Sequence, residues 1–393
     1  MKIKLLLQFE HQSANGILMQ SLFEELSKIH PNTQLVYQPF KYSQSIQKHD
    51  QDLPDSLQKH NQELLVFRTS NLLIKILCGF YFVLIGFFLH LVKLRSCDHL
   101  IIQKPIGLGP LYLLAIKALP GGPKVHTIFD DWEGAGGMAS FRSSGKPLKI
   151  ALATWMEEFC AKQSDTLICR AKILVRRFRN LKPLDKILYQ PNGSGVVPVP
   201  TANLSEKSYS LKTPFKVVHV GSYKQIELVE FLNKLAELSY QNDLPIEFQI
   251  IGGGPLTKQF NSELKNLILT GPIPHTEVTH HLQFSDLALL FLNPDWPDTL
   301  LDAARSSTKM FEYMSQGKAI LAPNFGEPKE IFKDKVNAFL ADTHPEAYLE
   351  ALKFILENKE LVHQVSLNAL NDFKNHYTHS KLAKDLLGWI KVS

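Results

Sequence analysis

Ser307-Thr308-Lys309-Met310-Phe311-Glu312-Tyr313-Met314-Ser315-Gln316-Gly317-Lys318-Ala319-Ile320-Leu321-Ala322 places a cation, a carboxylate and a glycine around one short amphipathic segment. The spacing predicts a helix that begins near Thr308, turns Met310, Phe311 and Met314 inward, and ends at a left-handed Gly317. Ile320 to Ala322 then reads as a buried strand. A helix N-terminus carries unpaired N–H groups and partial positive charge, so Thr308 with Lys309 beside it makes a seat for a diphosphate. One turn on, Glu312 is placed to accept hydrogen bonds from ribose hydroxyls. The same residues also suit an ordinary surface helix with an ion pair.

Around this stretch, strand-like and helical patterns alternate, which predicts a doubly wound α/β protein. In the first half strands are expected at Ile3 to Phe9, Gln34 to Gln38, His99 to Gln103, Lys124 to Phe129, Thr166 to Cys169 and Lys186 to Tyr189. Helices are expected at Leu18 to His30, Leu111 to Ala118, Pro147 to Gln163 and Lys172 to Asn180. Lys41 to Leu64 reads as a polar connection. Residues 194 to 214 hold Pro198, Pro200 and Pro214 amid Ser, Thr and Val, a linker-like composition. A second alternation follows: strands Lys216 to Ser222, Glu247 to Pro255, Leu267 to Gly271 and Leu287 to Phe291, with a helix at Leu228 to Ser239. Two such halves imply a cleft between them.

The chain has 393 residues, enough for two domains, and a formal charge of only +5, which does not suggest an extended nucleic-acid footprint. Cys78, Cys97, Cys160 and Cys169 lack zinc-site spacing and fit reduced thiols in a cytosolic setting. The N-terminus lacks the longer apolar region of a secretory signal. Residues 71–94 are the exception in composition, because Ile76 to Leu89 is apolar on all faces and is flanked by Lys75, His90, Lys93 and Arg95. The run is shorter than the roughly 20 residues of a spanning helix. It reads as a buried core helix, an interfacial helix on a cytoplasmic leaflet, or a tilted span.

Asp130-Asp131-Trp132-Glu133-Gly134-Ala135-Gly136-Gly137 follows the strand Lys124 to Phe129 and so falls at the carboxyl edge of the sheet, where α/β proteins bind ligands. Asp130 or Asp131 is placed there to orient or deprotonate a hydroxyl. Trp132 offers a flat aromatic face for stacking, and Gly136 and Gly137 permit close backbone approach. A divalent-metal site and a structural turn are the competing readings. Lys104 reads either as a cleft-facing cation or as a plain surface lysine. His126 reads as a core histidine, and Lys172, Arg176, Arg177 and Arg179 as a basic face, solvated or set against anionic lipid.

In order and spacing, Pro191-Asn192-Gly193, Val220-Gly221-Ser222, Ile250-Ile251-Gly252-Gly253-Gly254-Pro255, Thr270-Gly271-Pro272-Ile273-Pro274, Ser285-Asp286 and Lys309 to Ala322 resemble a family 4 glycosyltransferase, the group 1 retaining type. The resemblance covers residues 190 to 340 well and the N-terminal half more loosely. It implies a GT-B fold, two Rossmann-like doubly wound domains facing a cleft. Residues 1–193 would bind acceptor, 194–214 link, 215–373 bind the nucleotide sugar, and 374–393 return as a helix to the first domain. Gly221, Ser222, Lys224, Gly253, Thr270, Gly271, Ile273, Thr308, Lys309 and Glu312 are then expected at the donor, with Asn15, Gly16, Lys104, Trp132, Glu133, Gly136 and Gly137 at the acceptor. Asp130, Asp131 and Lys309 would be catalytic.

Because groups that bind the departing diphosphate lower the barrier by themselves, no metal or other cofactor is expected beyond the nucleoside-diphosphate sugar. The expected partners are that sugar, a glycan or lipid-linked acceptor, and a cytoplasmic membrane surface, with no nucleic acid. Two departures stand out. Where family members often carry a glutamate eight positions before the ribose-binding one, this chain has Ala304, with Asp302 nearby. The loop after the first strand has Asn15-Gly16 in place of a double glycine. These leave a nucleotide-sugar epimerase and a non-catalytic membrane-associated scaffold as alternatives.

Overall fold

A computed structural model describes residues 1–7, 14–37, 87–142, 146–201, 214–294 and 304–392. Two parallel sheets of six strands each carry the fold. The first contains β1 (Ile3–Leu7), β2 (Thr33–Tyr37), β3 (His99–Gln103), β4 (Lys124–Phe129), β5 (Thr166–Cys169) and β6 (Ile187–Tyr189), in the order β2-β1-β3-β4-β5-β6. The second contains β7 (Phe215–Ser222), β8 (Ile246–Gly253), β9 (Leu267–Gly271), β10 (Leu287–Leu289), β11 (Ala319–Pro323) and β12 (Phe339–Ala341), in the order β12-β11-β10-β7-β8-β9. Parallel strands are covered on both faces, which is why β5 and β11 read as unbroken buried runs.

Alternation within each strand sorts side chains to two helical layers. Leu5, Ile101 and Ile168 face α1 (Ala14–Ile29) and α13 (His379–Val392), in a cluster with Met19, Leu22, Leu386 and Ile390. Their neighbours Leu6, Leu100, Ile102 and Leu167 face α2 (Phe87–Arg95), α3 (Gly109–Ala118), α5 (Pro147–Gln163) and α6 (Lys172–Phe178). A short α4 (Met138–Arg142) precedes α5. In the second half, α7 (Ile226–Gln241) and α11 (Pro345–Glu357) cover one face, while α8 (His275–Gln283) and α9 (Thr308–Ser315) lie on the other. After α10 (Gly326–Ile331) and α12 (Lys359–Asp372), the chain crosses back through a π turn at Phe373–Tyr377 to place α13 on α1.

Some elements differ from the sequence reading. Helix α1 starts at Ala14 rather than Leu18, so Asn15 and Gly16 occupy its first turn and not a loop. Weak helix formers are tolerated there because first-turn N–H groups have no intrahelical partner to lose. Helix α8 was unread because Val278 and Leu282 are its only buried apolar positions among three histidines. The polar connection Lys41 to Leu64, residues 71–86 of the apolar run, most of the linker (202–213) and Asp302 lie outside the described residues. The remainder of the apolar run is α2, with His90, Leu91 and Leu94 buried. Among the described residues, no helix is long and apolar enough to cross a membrane. Cys160 and Cys169 are buried free thiols and Cys97 is half-buried.

The halves meet through polar contacts. Asn192, just after β6, donates its backbone N–H to Ser306 Oγ at 2.9 Å and its Nδ2 to the Ser306 carbonyl at 2.6 Å. Glu327 of α10 is buried and accepts from Tyr189 Oη at 2.5 Å and from the Lys172 N–H at 3.0 Å. Beside it, Arg176 pairs with Glu330 at 2.8 Å. Burial pushes the Glu327 pKa up to about 7, and the hydrogen bonds from Tyr189 and Lys172 only partly offset it.

The native state therefore binds the Glu327 proton more tightly than the unfolded chain, so its contribution is greatest in acid and declines as pH rises from 4.5 to about 7. Urea titrations at a series of pH values should show this decline in the wild type and lose it in Glu327→Gln; coincident pH profiles would remove Glu327 from the junction's titration. A second prediction concerns two glycines with positive φ. At Gly252 (φ +118°) a Cβ would lie 1.9 Å from the Gly221 carbonyl oxygen, whereas at Gly271 (φ +79°) it would meet nothing within 4 Å. Gly252→Ala should cost about 3 kcal/mol of unfolding free energy and Gly271→Ala about 1 kcal/mol. Equal losses would contradict the close approach.

Candidate functional site

In the second sheet β7 and β10 are neighbours, and the chain order reverses across that pair. Doubly wound sheets bind ligands outside the carboxyl ends of the strands at such a reversal. There β7 and β8 end in register, Gly221 opposite Gly252 and Ser222 opposite Gly253. A Cβ on Gly221 would lie 2.9 Å from both Lys309 Nζ and the His219 ring, so the lysine head rests on bare backbone. The Val220 N–H donates to Tyr313 Oη at 3.1 Å and ties α9 to the end of β7.

The other side of the site is closed by the turn after β9. A Cβ on Gly253 would touch Pro272 Cδ at 3.5 Å, and His275, which opens α8, has its Nε2 3.3 Å from Glu312 Oε1. Gly221, Gly252, Gly253, Pro272, His275, Glu312 and Lys309 thus form a ring of neighbours at the carboxyl edge. Thr308 is half-buried at the start of α9, and Ser222 and Lys224 stand exposed on the rim. Thr270 accepts from Gln249 Nε2 at 3.3 Å, a nitrogen that also lies 2.8 Å from His281 Nδ1. Gly271 and Ile273 are half-buried beyond it.

Charge in this ring is unevenly shared. Burial, reinforced by the Lys309 cation, holds the His219 pKa well below the ordinary imidazole value, so the positive charge beneath the site belongs to Lys309. The hydrogen bond to Glu312 raises the His275 pKa, while burial opposes it. Among the residues that sequence reasoning missed, His275 gave no signal, because it follows a Pro-Ile-Pro turn whose geometry alone brings it back to Glu312.

In the first half, the loop after β4 is a buried charge network. Lys104 takes a left-handed φ of +63° directly after β3 and donates its backbone N–H to the Ile128 carbonyl. Its Nζ lies 2.6 Å from Asp131 Oδ2 and 2.8 Å from Glu133 Oε1. Lys104 is therefore no surface lysine. Burial alone would lower its pKa, but Asp131, Glu133 and Asp130 outweigh burial and raise it. Asp130 is buried between Gln103 and Arg170, whose Nε is 3.6 Å from Oδ1, and burial raises its pKa. Asp131 is the more exposed of the two. Among the described residues no histidine, cysteine and carboxylate side chains are grouped to hold a metal ion.

Trp132, Gly136 and Gly137, expected at the acceptor, also make contacts within the loop. The Arg177 guanidinium lies 4.2 Å from the Trp132 ring centroid, so a ring face expected to meet sugar is stacked on arginine. Gly136 and Gly137 make room for Trp132: a Cβ on Gly137 would fall 2.0 Å from the Trp132 carbonyl oxygen, and one on Gly136 would touch its ring at 3.5 Å. Beneath the loop, Glu157 of α5 is fully buried, accepts the Glu133 N–H at 2.8 Å and binds Arg177 Nη2 at 2.6 Å. Sequence reasoning passed over Glu157, yet a carboxylate on the same helical face as Cys160 and Ala161 was the available signal. Ala304 is fully buried and joins the apolar cluster of the first sheet, so the position of the usual glutamate is spent on lobe packing.

Residues 201–372 match the family model described as Glycosyl transferases group 1. A comparison with curated proteins returns no relative by sequence. Solved structures with a similar fold include HepE of Anabaena in complex with UDP, at 12% identity and a TM-score of 0.68, covering 100% of both chains. Sucrose-phosphate synthase of Thermosynechococcus elongatus superposes at 12% identity and a TM-score of 0.67, over 100% of this chain and 98% of the other. The lipopolysaccharide outer core galactosyltransferase WaaB, in its apo form, gives 14% identity and a TM-score of 0.59 over 100% and 99%. The architecture is that of the GT-B fold, and with the group 1 match over the second sheet it supports a glycosyltransferase.

Proposed function

We propose that this chain is a retaining glycosyltransferase that moves a sugar from a nucleoside-diphosphate donor to a hydroxyl of a glycan or lipid-linked saccharide. Cell-surface polysaccharide synthesis at the cytoplasmic face of a membrane is the setting this reading favours. Residues 1–193 form the acceptor lobe, 215–373 the donor lobe, and 374–393 the return to the first lobe. The observation that carries the reading is Lys309 Nζ resting on Gly221 beside the N-terminus of α9. A diphosphate placed there meets a lysine, the first-turn N–H groups, and the donors of Gly221 and Ser222, with Lys224 on the rim.

Glu312 then holds the ribose, and His275 steadies that carboxylate. The base lies toward Thr270, Gly271 and Ile273, where backbone groups can pair with it. UDP bound to HepE lends support to a nucleotide in the ring. During transfer the bond from the sugar's anomeric carbon to the diphosphate breaks while the acceptor oxygen bonds that carbon from the same face and gives its proton to the departing diphosphate oxygen. Lys309 and the α9 terminus stabilise the charge that develops on the leaving diphosphate. Asp131 orients the acceptor hydroxyl, and Asp130 supports it from below through the network of Lys104 and Arg170. Glu133 fixes Lys104, and Trp132 with Gly136 and Gly137 holds the loop's shape.

Isothermal calorimetry with UDP and GDP tests the donor seat. Lys309→Ala and Glu312→Ala should each weaken binding by roughly 10- to 100-fold, the size of a lost charge-assisted hydrogen bond. Thermal midpoints should stay near the wild-type value. Unchanged titrations would reject both roles. Asp131→Asn should slow transfer while leaving nucleotide affinity intact, and equal losses in the two measurements would make the loop merely structural.

A further inference from the structure

Three helices on one face of the first sheet share an uncommon surface. Phe88 and Leu89 of α2, Leu111 and Leu114 of α3, and Leu148, Leu152 and Trp155 of α5 are all exposed, Leu148 to 85%. The α5 residues recur at helical spacing on one side, and α3 packs against both α2 and α5. In a parallel sheet each such helix runs antiparallel to its strands, so its first turns lie at the carboxyl edge. Phe88, Leu89, Leu111, Leu148 and Leu152 sit in the first halves of their helices, Leu114 and Trp155 near the middle, and Val92 and Leu119 extend the exposed apolar surface toward the other end. The exposed apolar surface is therefore weighted toward the carboxyl edge of the sheet, the side of the Asp131 loop.

Charge is matched unevenly along the same helices. At the far ends, Lys117 pairs with Asp165 at 2.5 Å and Lys162 with Glu158 at 3.5 Å, so those charges are matched. At the cleft end Arg142, Lys146 and Lys149 are exposed, and the sequence from Arg142 to Met156 contains no carboxylate. Scattered single apolar residues need no explanation, but a shared patch rimmed by unmatched cations does.

We propose that the first turns of α2, α3 and α5 form a docking face for a bilayer with anionic headgroups, holding the acceptor side of the cleft at the membrane surface. Leucine and tryptophan enter the interface while Arg142, Lys146 and Lys149 meet lipid phosphate. A second copy of this chain is a poorer occupant, since a twofold contact would set the same cations against each other. This face deepens the reading of a lipid-linked acceptor: a saccharide headgroup standing on the bilayer would reach the Asp131 loop without the lipid leaving the membrane.

The test is co-sedimentation of the full chain with vesicles of phosphatidylglycerol and phosphatidylcholine, with pure phosphatidylcholine alongside. Calorimetry with UDP on the same samples keeps the donor reading separate. Wild type should bind the anionic vesicles and lose binding as salt is raised. The triple variant Leu148→Ser, Leu152→Ser, Trp155→Ser should lower the vesicle partition at least tenfold, and Lys146→Glu with Lys149→Glu should do so for anionic vesicles only. Both should keep wild-type UDP affinity and thermal midpoint. Wild-type partition by the triple variant, as expected if the apolar stretch 71–86 alone carried binding, would overturn the proposal. So would absence of vesicle binding by the wild type, or a concentration-dependent dimer that the triple variant abolishes.

Discussion

The second half of this molecule depends on two backbones that touch where side chains would ordinarily separate them. Strands β7 and β8 end with Gly221 opposite Gly252, and the positive φ of Gly252 brings its α-carbon over the Gly221 carbonyl. With no Cβ on either residue, the strand tips stay low enough for the Lys309 head to lie on them. The turn that follows is held from beneath by Tyr223, which is buried and donates to the His219 and Ile251 carbonyls at 3.3 and 3.1 Å. A Cβ on Gly254 would strike the Tyr223 carbonyl oxygen at 2.3 Å, so this third glycine is also committed to the turn. What looks like a glycine-rich ligand loop is first a packing solution, and its vacancy toward solvent is a consequence.

That site is tied to the opposite lobe through the segment just ahead of α9. Asn192 grips Ser306 through both its backbone and its side chain, and Ala304, two residues earlier, is buried in the apolar cluster of the first sheet. The start of the helix that carries Lys309 and Glu312 is thus indexed to residues of the first half. Arg176 with Glu330 and Tyr189 with Glu327 hold a second point of the same junction. Two separated points of attachment resist rotation better than one, so the ring around Lys309 and the acidic loop keep a fixed relation while these bonds hold. A glutamate at position 304 would place a charge in the apolar cluster, at a cost of several kcal/mol unless paired. Its replacement by alanine is consistent with the packing.

Much of this was legible because long-range order follows from local patterns. Strands β3, β4, β5 and β9, the helix α5, and the end of α9 at a left-handed Gly317 (φ +58°) lie where alternation, apolar spacing and glycine placed them. The glycines that end β7 and β8, and Lys309 and Glu312 one turn apart, were visible as types at fixed spacing. Pairings between distant segments were not. Nothing in the sequence links His275 to Glu312, Arg177 to Trp132, or Glu157 to the Glu133 N–H, since each contact is set by how a turn or a helix is carried by the sheet. The approach of Gly136 and Gly137 to Trp132 was hidden for the same reason: a glycine marks a close approach without saying what approaches.

The acidic loop illustrates what a buried network contributes. Lys104, Arg170 and Arg177 stand against Asp130, Asp131, Glu133 and Glu157, so the carboxylates outnumber the cations by one. Burial raises the pKa of Asp130, Glu133 and Glu157, and desolvation of such groups makes the network a weak source of stability. Its contribution is geometric: Glu157 clamps the loop from below, Lys104 clamps it from the side, and Trp132 is pinned under Arg177. Asp131 is left at the surface of the cluster with one oxygen 2.6 Å from Lys104 and a second oxygen to offer. A carboxylate held in this way accepts a hydrogen bond in a fixed direction. It is better suited to orienting an acceptor hydroxyl than to carrying away its proton. In the front-face transfer proposed above, a diphosphate held at Lys309 would leave on the side from which the hydroxyl attacks, and its oxygen would serve as the base.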